Sequence, residues 1–208
     1  MDNFSLDGVK NIIFDLGNVI VNLDMAATDN AFKKLSGTKY DEIMKALNET
    51  SFFQQYEMGK ISTATFVSTL KEKIGGNTTA NEVIDAWNAM LLDIPSIRYD
   101  ILIEQKKKYR TFCLSNTNEL HIKFLFNMLQ KTKGLSNLDD FFERVYLSHE
   151  MGQRKPNANI FETVLKENNL IPSETLFIDD TAEHIAGAKQ VAVKTFHLSE
   201  GRSLEQFF

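Results

Sequence analysis

Four short apolar runs, each stopping at a polar residue, constrain the fold of this 208-residue chain more than any other feature. Each run is too short for a buried helix and is followed at once by polar or turn-forming residues, which is typical of a buried β-strand. The predicted strands are residues 11–15 (NIIFD, ending in a carboxylate), 111–114 (TFCL, before Ser115-Asn116), 145–147 (VYL, before Ser148-His149) and 175–178 (TLFI, before Asp179-Asp180). A fifth strand is predicted over residues 191–196.

Helical periodicity fills the segments between these runs. Apolar residues lie at helical spacing in two of them, at Ile122, Phe124, Leu125 and Met128, and at Ile160, Phe161, Val164 and Leu165. Strands that alternate with helices predict an α/β fold with a parallel sheet between two helical layers. Ligands bind at the carboxyl ends of the strands in such sheets. We therefore expect the polar residues that follow the strands to meet at one edge.

One long segment breaks the alternation. Residues 25–95 contain amphipathic helical patterns and no convincing strand. A single crossover needs far fewer residues, so this segment predicts a cap of four-helix-bundle type, inserted after the first strand and placed over the active edge. The alternative is that these helices are ordinary crossovers packed on the sheet. The predicted division is a core of residues 1–24 and 96–208 and a cap of residues 25–95.

Charge and composition exclude several classes of protein. A formal net charge of −5 and a pI near 5.4 argue against nucleic-acid binding, which needs clustered cationic charge. No run of eighteen apolar residues and no secretory leader are present, so we expect a cytoplasmic protein without a membrane partner. The single cysteine, Cys113, excludes a disulfide framework. The oligomeric state stays open.

The polar residues at the predicted edge suit phosphoryl transfer. Carboxylates follow two strands, at Asp15 and at the pair Asp179-Asp180, and hard oxygen ligands of this kind form Mg²⁺ sites. Ser115 and Asn116 add hydrogen-bond donors and Lys155 adds a cation. Such groups stabilise the negative charge of a phosphoryl group beside the metal. A carboxylate held there can attack phosphorus and form an aspartyl phosphate.

In this order, the motifs resemble those of the haloacid dehalogenase superfamily over most of the chain. The four matching segments are FDLGNV at residues 14–19, LSNT at 114–117, GQRKP at 152–156 and FIDD at 177–180. The resemblance implies a Rossmann-like core with the helical cap found after the first motif in subfamily I, and YEMGKIS at residues 56–62 is similar to a segment of that cap. The residues of these motifs are similar to those of the superfamily branch that contains the epoxide-hydrolase N-terminal phosphatase domain and the bacterial glucose-1-phosphate phosphatases.

The resemblance also implies a role for each matching residue. Asp15 would be the nucleophile and a Mg²⁺ ligand. Ser115 and the Asn116 amide would hold the phosphoryl oxygens, with backbone N–H groups at the start of the next helix. Lys155 would neutralise Asp15 and the phosphate. Asp180 is expected to bind Mg²⁺ directly, with Asp179 beside it or acting through water.

Gly17 departs from the superfamily pattern. Most phosphatases of the superfamily carry an aspartate at this position as the general acid and base, and a positioned acid is worth roughly 10²–10⁴-fold in rate. The backbone carbonyl of Gly17 can still bind Mg²⁺. His184, four residues after Asp180, would either replace the acid or support a metal ligand by hydrogen bonding, and the second interpretation is favoured.

These observations predict a Mg²⁺-dependent phosphomonoesterase that acts on a small phosphate ester, such as glucose 1-phosphate or another sugar phosphate. Glu57, Lys60 and Trp87 are candidates for the specificity surface, although Trp87 is more typical of a helix core. Two alternatives stay open. One is a haloacid dehalogenase, whose chemistry needs no metal; the other is a protein that binds a phosphometabolite or a partner without turnover, which Gly17 keeps possible.

Overall fold

The computed structural model describes residues 5–199 and 202–208, and a five-stranded parallel sheet forms its centre. The strands are β1 (Asn11–Phe14), β2 (Arg110–Ser115), β3 (Arg144–Leu147), β4 (Thr175–Asp179) and β5 (Lys194–His197). Their order in the sheet is β3-β2-β1-β4-β5. All five predicted strands are therefore present. The fifth begins three residues later than expected, because residues 191 and 192 still belong to the turn after α10 and pairing begins at Lys194.

Eleven α-helices surround the sheet in the described part of the chain. They are α1 (Met25–Ser36), α2 (Tyr40–Glu49), α3 (Phe52–Glu57), α4 (Thr63–Ile74), α5 (Ala80–Asn88), α6 (Ser96–Lys106), α7 (Glu119–Lys133), α8 (Ser148–Met151), α9 (Ala158–Glu167), α10 (Ala182–Lys189) and α11 (Leu204–Phe207). Short 3-10 helices occupy Gly37–Lys39 and Pro172–Glu174. None of the described helices is long and apolar enough to cross a membrane.

Alternation along β1 produces the three layers. Ile12 and Phe14 pack into one hydrophobic cluster with residues of α6 and α7, whereas Ile13 faces a second cluster with residues of α9 and α10. Successive side chains of a strand point to opposite faces, so a strand that is apolar throughout must be covered on both sides. The predicted three-layer α/β architecture is confirmed. Leu204 of α11 is buried in the first cluster, and Phe207 and Phe208 pack against it partly buried.

Helices α1 to α5, which we call the helical cap, form a third hydrophobic cluster. Phe32, Phe66 and Trp87 lie at its centre, and Leu120 of α7 also packs into it. The cap has five helices rather than the four of the predicted bundle, because the chain turns twice between α2 and α4. The division into a core and a cap at residues 25 and 95 stays a prediction.

Local sequence explains where the helices next to the site begin. Asn118 precedes α7, and its side chain accepts a hydrogen bond from the backbone N–H of His121, which is a favourable N-cap. In the cap, Thr79 and Glu82 form a reciprocal capping box at the start of α5. Both helices thus begin at fixed points. The last turn of α5 meets the start of α7, where the Nε1 of Trp87 donates to the Oδ1 of Asn118 at 3.2 Å.

Candidate active site

A buried lysine joins two carboxylates at the carboxyl edge of the sheet. The Nζ of Lys155 lies 2.7 Å from Oδ1 of Asp15 and 2.7 Å from Oδ2 of Asp179. Asp15 follows β1 and Asp179 ends β4, and these two strands are neighbours in the sheet. Lys155 and Asp179 are fully buried. The expected convergence of polar strand ends is therefore present. Asp15 and Asp179 lie 140 and 24 positions from Lys155 in the sequence, and both contact its ammonium group.

Burial and charge oppose each other in this cluster. Burial raises the pKa of Asp15 to about 7, although the Lys155 ammonium lowers it in part. Burial also acts to raise the pKa of Asp179, but Lys155 and His184 outweigh it and hold that pKa below its ordinary value. Lys155 itself has a raised pKa, because the two carboxylates outweigh its desolvation. A second cation near Asp15 would favour the ionised carboxylate that can act as a nucleophile.

Asp179 is oriented by three further groups. Its Oδ1 accepts a hydrogen bond from the backbone N–H of Thr181 at 2.8 Å, and the Nδ1 of His184 lies 3.0 Å from both carboxylate oxygens. One ligand atom from each of Asp15, Asp179 and His184 lies within 4.8 Å of the others. The two carboxylates suit Mg²⁺, and an imidazole that holds a ligating carboxylate is a common supporting arrangement. The residues present therefore fit a divalent cation.

Asp180 contacts other residues than Asp15 and Lys155. Its Oδ2 accepts a hydrogen bond from the Asn18 side chain at 2.9 Å, and its Oδ1 accepts one from the Thr181 hydroxyl at 3.2 Å. The His197 ring lies 2.9 Å from its backbone carbonyl. The structure thus groups Asp179, rather than Asp180, with Asp15. The assignment of Asp180 as the direct ligand stays a prediction.

Asn116 holds the backbone of Lys155 in place. Its Nδ2 donates to the Lys155 carbonyl at 2.9 Å, and its Oδ1 accepts from the Lys155 N–H at 2.9 Å. Its Nδ2 also lies 3.3 Å from the Nε2 of His184. The side chain that the sequence assigned to the phosphate is thus already paired with the loop that carries the lysine. Ser115 is buried at the end of β2, next to this pair.

Three backbone N–H groups at the start of α7 have hydrogen-bond partners within the protein, and their predicted role in a phosphate site stays a prediction. The N–H of Thr117 donates to the Ser148 hydroxyl, and that of Leu120 donates to the Tyr56 hydroxyl. The N–H of His121 is used by the N-cap Asn118. The first two donors are satisfied by side chains of α8 and of the cap, which pack on this turn, and the third by Asn118 of the turn itself.

Two residues that the sequence did not single out fasten the cap to the core. Arg154 donates from Nε and Nη2 to Oε2 of Glu57, at 3.2 and 3.0 Å. The Ser148 hydroxyl donates to the backbone carbonyl of Glu57 at 2.6 Å. The position of Arg154, one residue before Lys155, was the available signal in the sequence. Lys60 is exposed and Trp87 is buried in the cap, as the helix-core interpretation expects.

A cavity of about 350 Å³ opens between the cap and this edge of the sheet. Gly17, Ser115 and Asn116 line its inner end, and Glu57 and Trp87 belong to its walls. A Cβ atom added to Gly17 would lie 2.7 Å from the Leu23 side chain and would meet no backbone atom. The cavity thus places space for a small ligand directly beside Gly17, the position where a general acid is missing.

Residues 9–192 match the model of the haloacid dehalogenase-like hydrolase family. The chain belongs to that family. The recognition of the superfamily from its four motifs is confirmed, and so is the prediction of a hydrolase; the narrower branch stays a prediction.

Two curated relatives of this hydrolase are named as phosphatases. D-ribitol-5-phosphate phosphatase of Bacteroides thetaiotaomicron is 32% identical over 198 residues, which are 95% of this chain and 96% of the relative. Glyceraldehyde 3-phosphate phosphatase of Pyrococcus furiosus is 27% identical over 95% of this chain and 83% of its own. The predicted class of enzyme, a phosphatase, agrees with both names.

A solved relative carries the predicted cofactor. The enzyme bt-2542 of Bacteroides thetaiotaomicron, in complex with magnesium and inorganic phosphate, has a TM-score of 0.86 and 32% identity, and the match covers 96% of this chain and 99% of that one. The prediction of Mg²⁺ as the cofactor is confirmed at the level of these relatives. L-2-haloacid dehalogenase of Xanthobacter autotrophicus, at 16% identity over 91% of this chain and 77% of its own and a TM-score of 0.55, shares the fold alone.

Proposed function

We propose that this hydrolase is a Mg²⁺-dependent phosphomonoesterase that forms an aspartyl phosphate at Asp15. One observation carries the proposal: Lys155 bridges Asp15 and Asp179 at 2.7 Å beside a cavity of about 350 Å³. The buried ammonium of Lys155 can balance the negative charge that a phosphoryl group brings to such a site. The phosphatase relatives and the magnesium and phosphate in a solved relative support the same reaction.

The residues of this chain have distinct tasks in the reaction. The Asp15 carboxylate attacks phosphorus, the bond from phosphorus to the leaving oxygen breaks, and that oxygen keeps the electron pair. Lys155 stays protonated and balances the negative charge near the phosphorus. Asp15, Asp179 or Asp180, and the Gly17 carbonyl would hold Mg²⁺, which supplies positive charge to the phosphoryl oxygens when bound. A water molecule then attacks phosphorus and releases inorganic phosphate and the free Asp15 carboxylate.

The substrate is proposed only as a small soluble phosphate ester. The two phosphatase relatives act on phosphates of a polyol and of a triose, by their names. Glucose 1-phosphate and other sugar phosphates stay candidates, because an anomeric oxygen leaves without much help from an acid. Binding without turnover is the second candidate function, and the absence of a side chain at Gly17 is the observation that favours it. The Asp15-Asp179 pair favours metal-dependent chemistry over dehalogenation at carbon.

Release of inorganic phosphate from acetyl phosphate and 4-nitrophenyl phosphate tests the proposal. We expect turnover with Mg²⁺, loss of turnover with EDTA, and loss in Asp15→Asn, which keeps the shape of the side chain. Asp179→Asn and Asp180→Asn identify which of the two carboxylates binds Mg²⁺ directly. Only substitution of the direct ligand should raise the Mg²⁺ concentration needed for half-maximal rate by a large factor. A protein that binds phosphate but releases none from either compound, the acyl phosphate or the aryl ester, would instead support binding without turnover.

A further inference from the structure

The cavity beyond the catalytic edge has an apolar wall. Six cap-side residues contribute to this wall: Phe32, Met44, Phe53, Trp87, Met90 and Leu91. The rings of Phe53 and Trp87 are stacked with centroids 5.5 Å apart, and His121 stacks on Trp87 at 5.0 Å. A leaving group that extends from the phosphorus toward the cap would therefore contact hydrocarbon and aromatic faces.

Three polar side chains among the lining residues, those of Thr28, Glu57 and His121, are engaged with the protein. The Thr28 hydroxyl donates to the Trp87 carbonyl and accepts from the Met90 N–H. Both ring nitrogens of His121 have partners, the Trp87 carbonyl and the Asn118 amide, and its burial lowers its pKa to about 4, so the ring is neutral. Glu57 is paired with Arg154. A sugar hydroxyl placed against these groups would lose water and gain few hydrogen bonds.

The inner end of the cavity offers no side chain at position 17. Gly17 lies two residues after Asp15 and lines the cavity together with Ser115 and Asn116. A side chain there could protonate the leaving oxygen, and glycine cannot. His184, the other candidate acid, has partners at both ring nitrogens, with Nδ1 3.0 Å from Asp179 and Nε2 3.3 Å from Asn116. The leaving group must therefore carry its own negative charge when the bond to phosphorus breaks.

We propose that the substrates of this site are phosphate esters with an apolar leaving group that stabilises its own oxyanion, of which an aryl phosphate is the simplest example. The inference rests on the proposed function and narrows it. It follows from two independent features, the apolar wall and the absent side chain at Gly17. A primary phosphate ester of a polyol or hexose fits neither, because its hydroxyls face hydrocarbon and its alkoxide needs a proton. Glucose 1-phosphate meets the second condition through its anomeric oxygen but not the first.

The bond changes balance without any further reactant. Asp15 forms a bond to phosphorus, and the aryl oxygen leaves with the electron pair as an aryloxide. The aryloxide takes its proton from water. A second water then displaces Asp15 from phosphorus, so that one ester and one water yield one phenol and one inorganic phosphate.

Steady-state phosphate release from four substrates tests the inference. The probes are phenyl phosphate, glucose 1-phosphate, ribitol 5-phosphate and acetyl phosphate, and the last is too small to reach the apolar wall. We expect kcat/KM for phenyl phosphate to exceed that for either hydroxylated ester by about tenfold or more, since pockets discriminate on this scale between groups that fit and groups left unpaired.

A matched pair of variants probes the wall itself. Met44 is half-buried on α2 and lines the cavity. Met44→Gln keeps the length of the side chain and adds an amide, so the ratio of kcat/KM for phenyl phosphate to that for acetyl phosphate should fall about fivefold. Met44→Leu keeps the wall apolar and should leave the ratio within about twofold.

The outcomes separate the inference from the proposed function. Hydrolysis of acetyl phosphate combined with equal or faster hydrolysis of glucose 1-phosphate or ribitol 5-phosphate would overturn the inference and leave the phosphatase intact. An unchanged ratio in Met44→Gln would overturn the role of the wall. No turnover of any of the four substrates would remove the proposed function itself, and the inference with it.

Discussion

Replacing Lys155 by methionine tests the electrostatic account of the site. The variant keeps most of the apolar stem, whose terminal ammonium lies 5.3 Å from the ring centroid of Phe177, and removes only the charge. Two carboxylates, Asp15 and Asp179, would then face each other in a buried site without their shared cation. We expect a large loss of stability as well as a loss of activity.

The structure sets the size of this loss. Each of the two hydrogen bonds is 2.7 Å long and charge-assisted, and such bonds contribute about 1.5–3 kcal/mol each. Removing one partner of a buried ion pair costs about 3–5 kcal/mol, because the remaining charge stays desolvated. We therefore expect the free energy of unfolding of Lys155→Met to fall by about 3–5 kcal/mol at pH 8 in EDTA.

A double-mutant cycle with Asp179→Asn isolates the coupling. In the wild type this second change removes a favourable contact with Lys155 and lowers stability. In Lys155→Met it removes an uncompensated buried charge, so the double variant should be at least as stable as Lys155→Met alone. Urea unfolding followed by circular dichroism gives the four free energies. Additivity of the two changes to within about 0.5 kcal/mol would refute the reasoning, because it would mean that the two groups do not interact.

Three further outcomes follow from single positions. In Gly187→Ala, the new Cβ on α10 would collide with the Pro156 carbonyl, next to Lys155 in sequence. We expect the free energy of unfolding in urea to fall by about 1–3 kcal/mol and kcat to fall as well. An unchanged kcat would contradict the coupling of this contact to the lysine. Burial lowers the pKa of His121 to about 4, so the unfolded chain binds more protons between pH 4 and 6.5 and stability rises with pH over that window; His121→Gln should remove up to about 1.4 kcal/mol per pH unit of that slope in matched urea titrations. Burial raises the pKa of Cys113, so a thiol reagent should react slowly with the native protein and rapidly in urea, and fast labelling of the native protein would argue against this packing.

Much of the sheet was predictable because its signals are local. A strand buried on both faces must be apolar along its whole length, as Ile12, Ile13 and Phe14 are, and such a run is visible in a single sequence. The meeting of Asp15 and Asp179 followed from the parallel order, since neighbouring parallel strands end at the same edge. The helical cap was predicted from seventy residues of unbroken helical pattern, but its five helices were not, because short turns between helices leave a weak signal.

The pairing of side chains near the site could not be predicted. Asn116 was assigned to the phosphate, yet its amide holds the backbone of Lys155, which lies 39 residues further along the chain. Arg154 and Glu57 are separated by 97 residues, and neither composition nor spacing indicates that they meet. Partners of this kind are chosen by the packing of the cap on the core.

The sequence alone determined which chemistry the strand ends carry, because the identity of each side chain and its place at the end of a strand are local properties. It also determined what is missing, since Gly17 has no proton to give in any fold. Only the tertiary structure decided that Asp179 shares the ammonium of Lys155 with Asp15 while Asp180 turns to Asn18, and that the space above them is walled by Phe53 and Trp87. These features depend on the relative position of elements far apart in the chain, which burial of the apolar faces fixes only when the whole molecule folds.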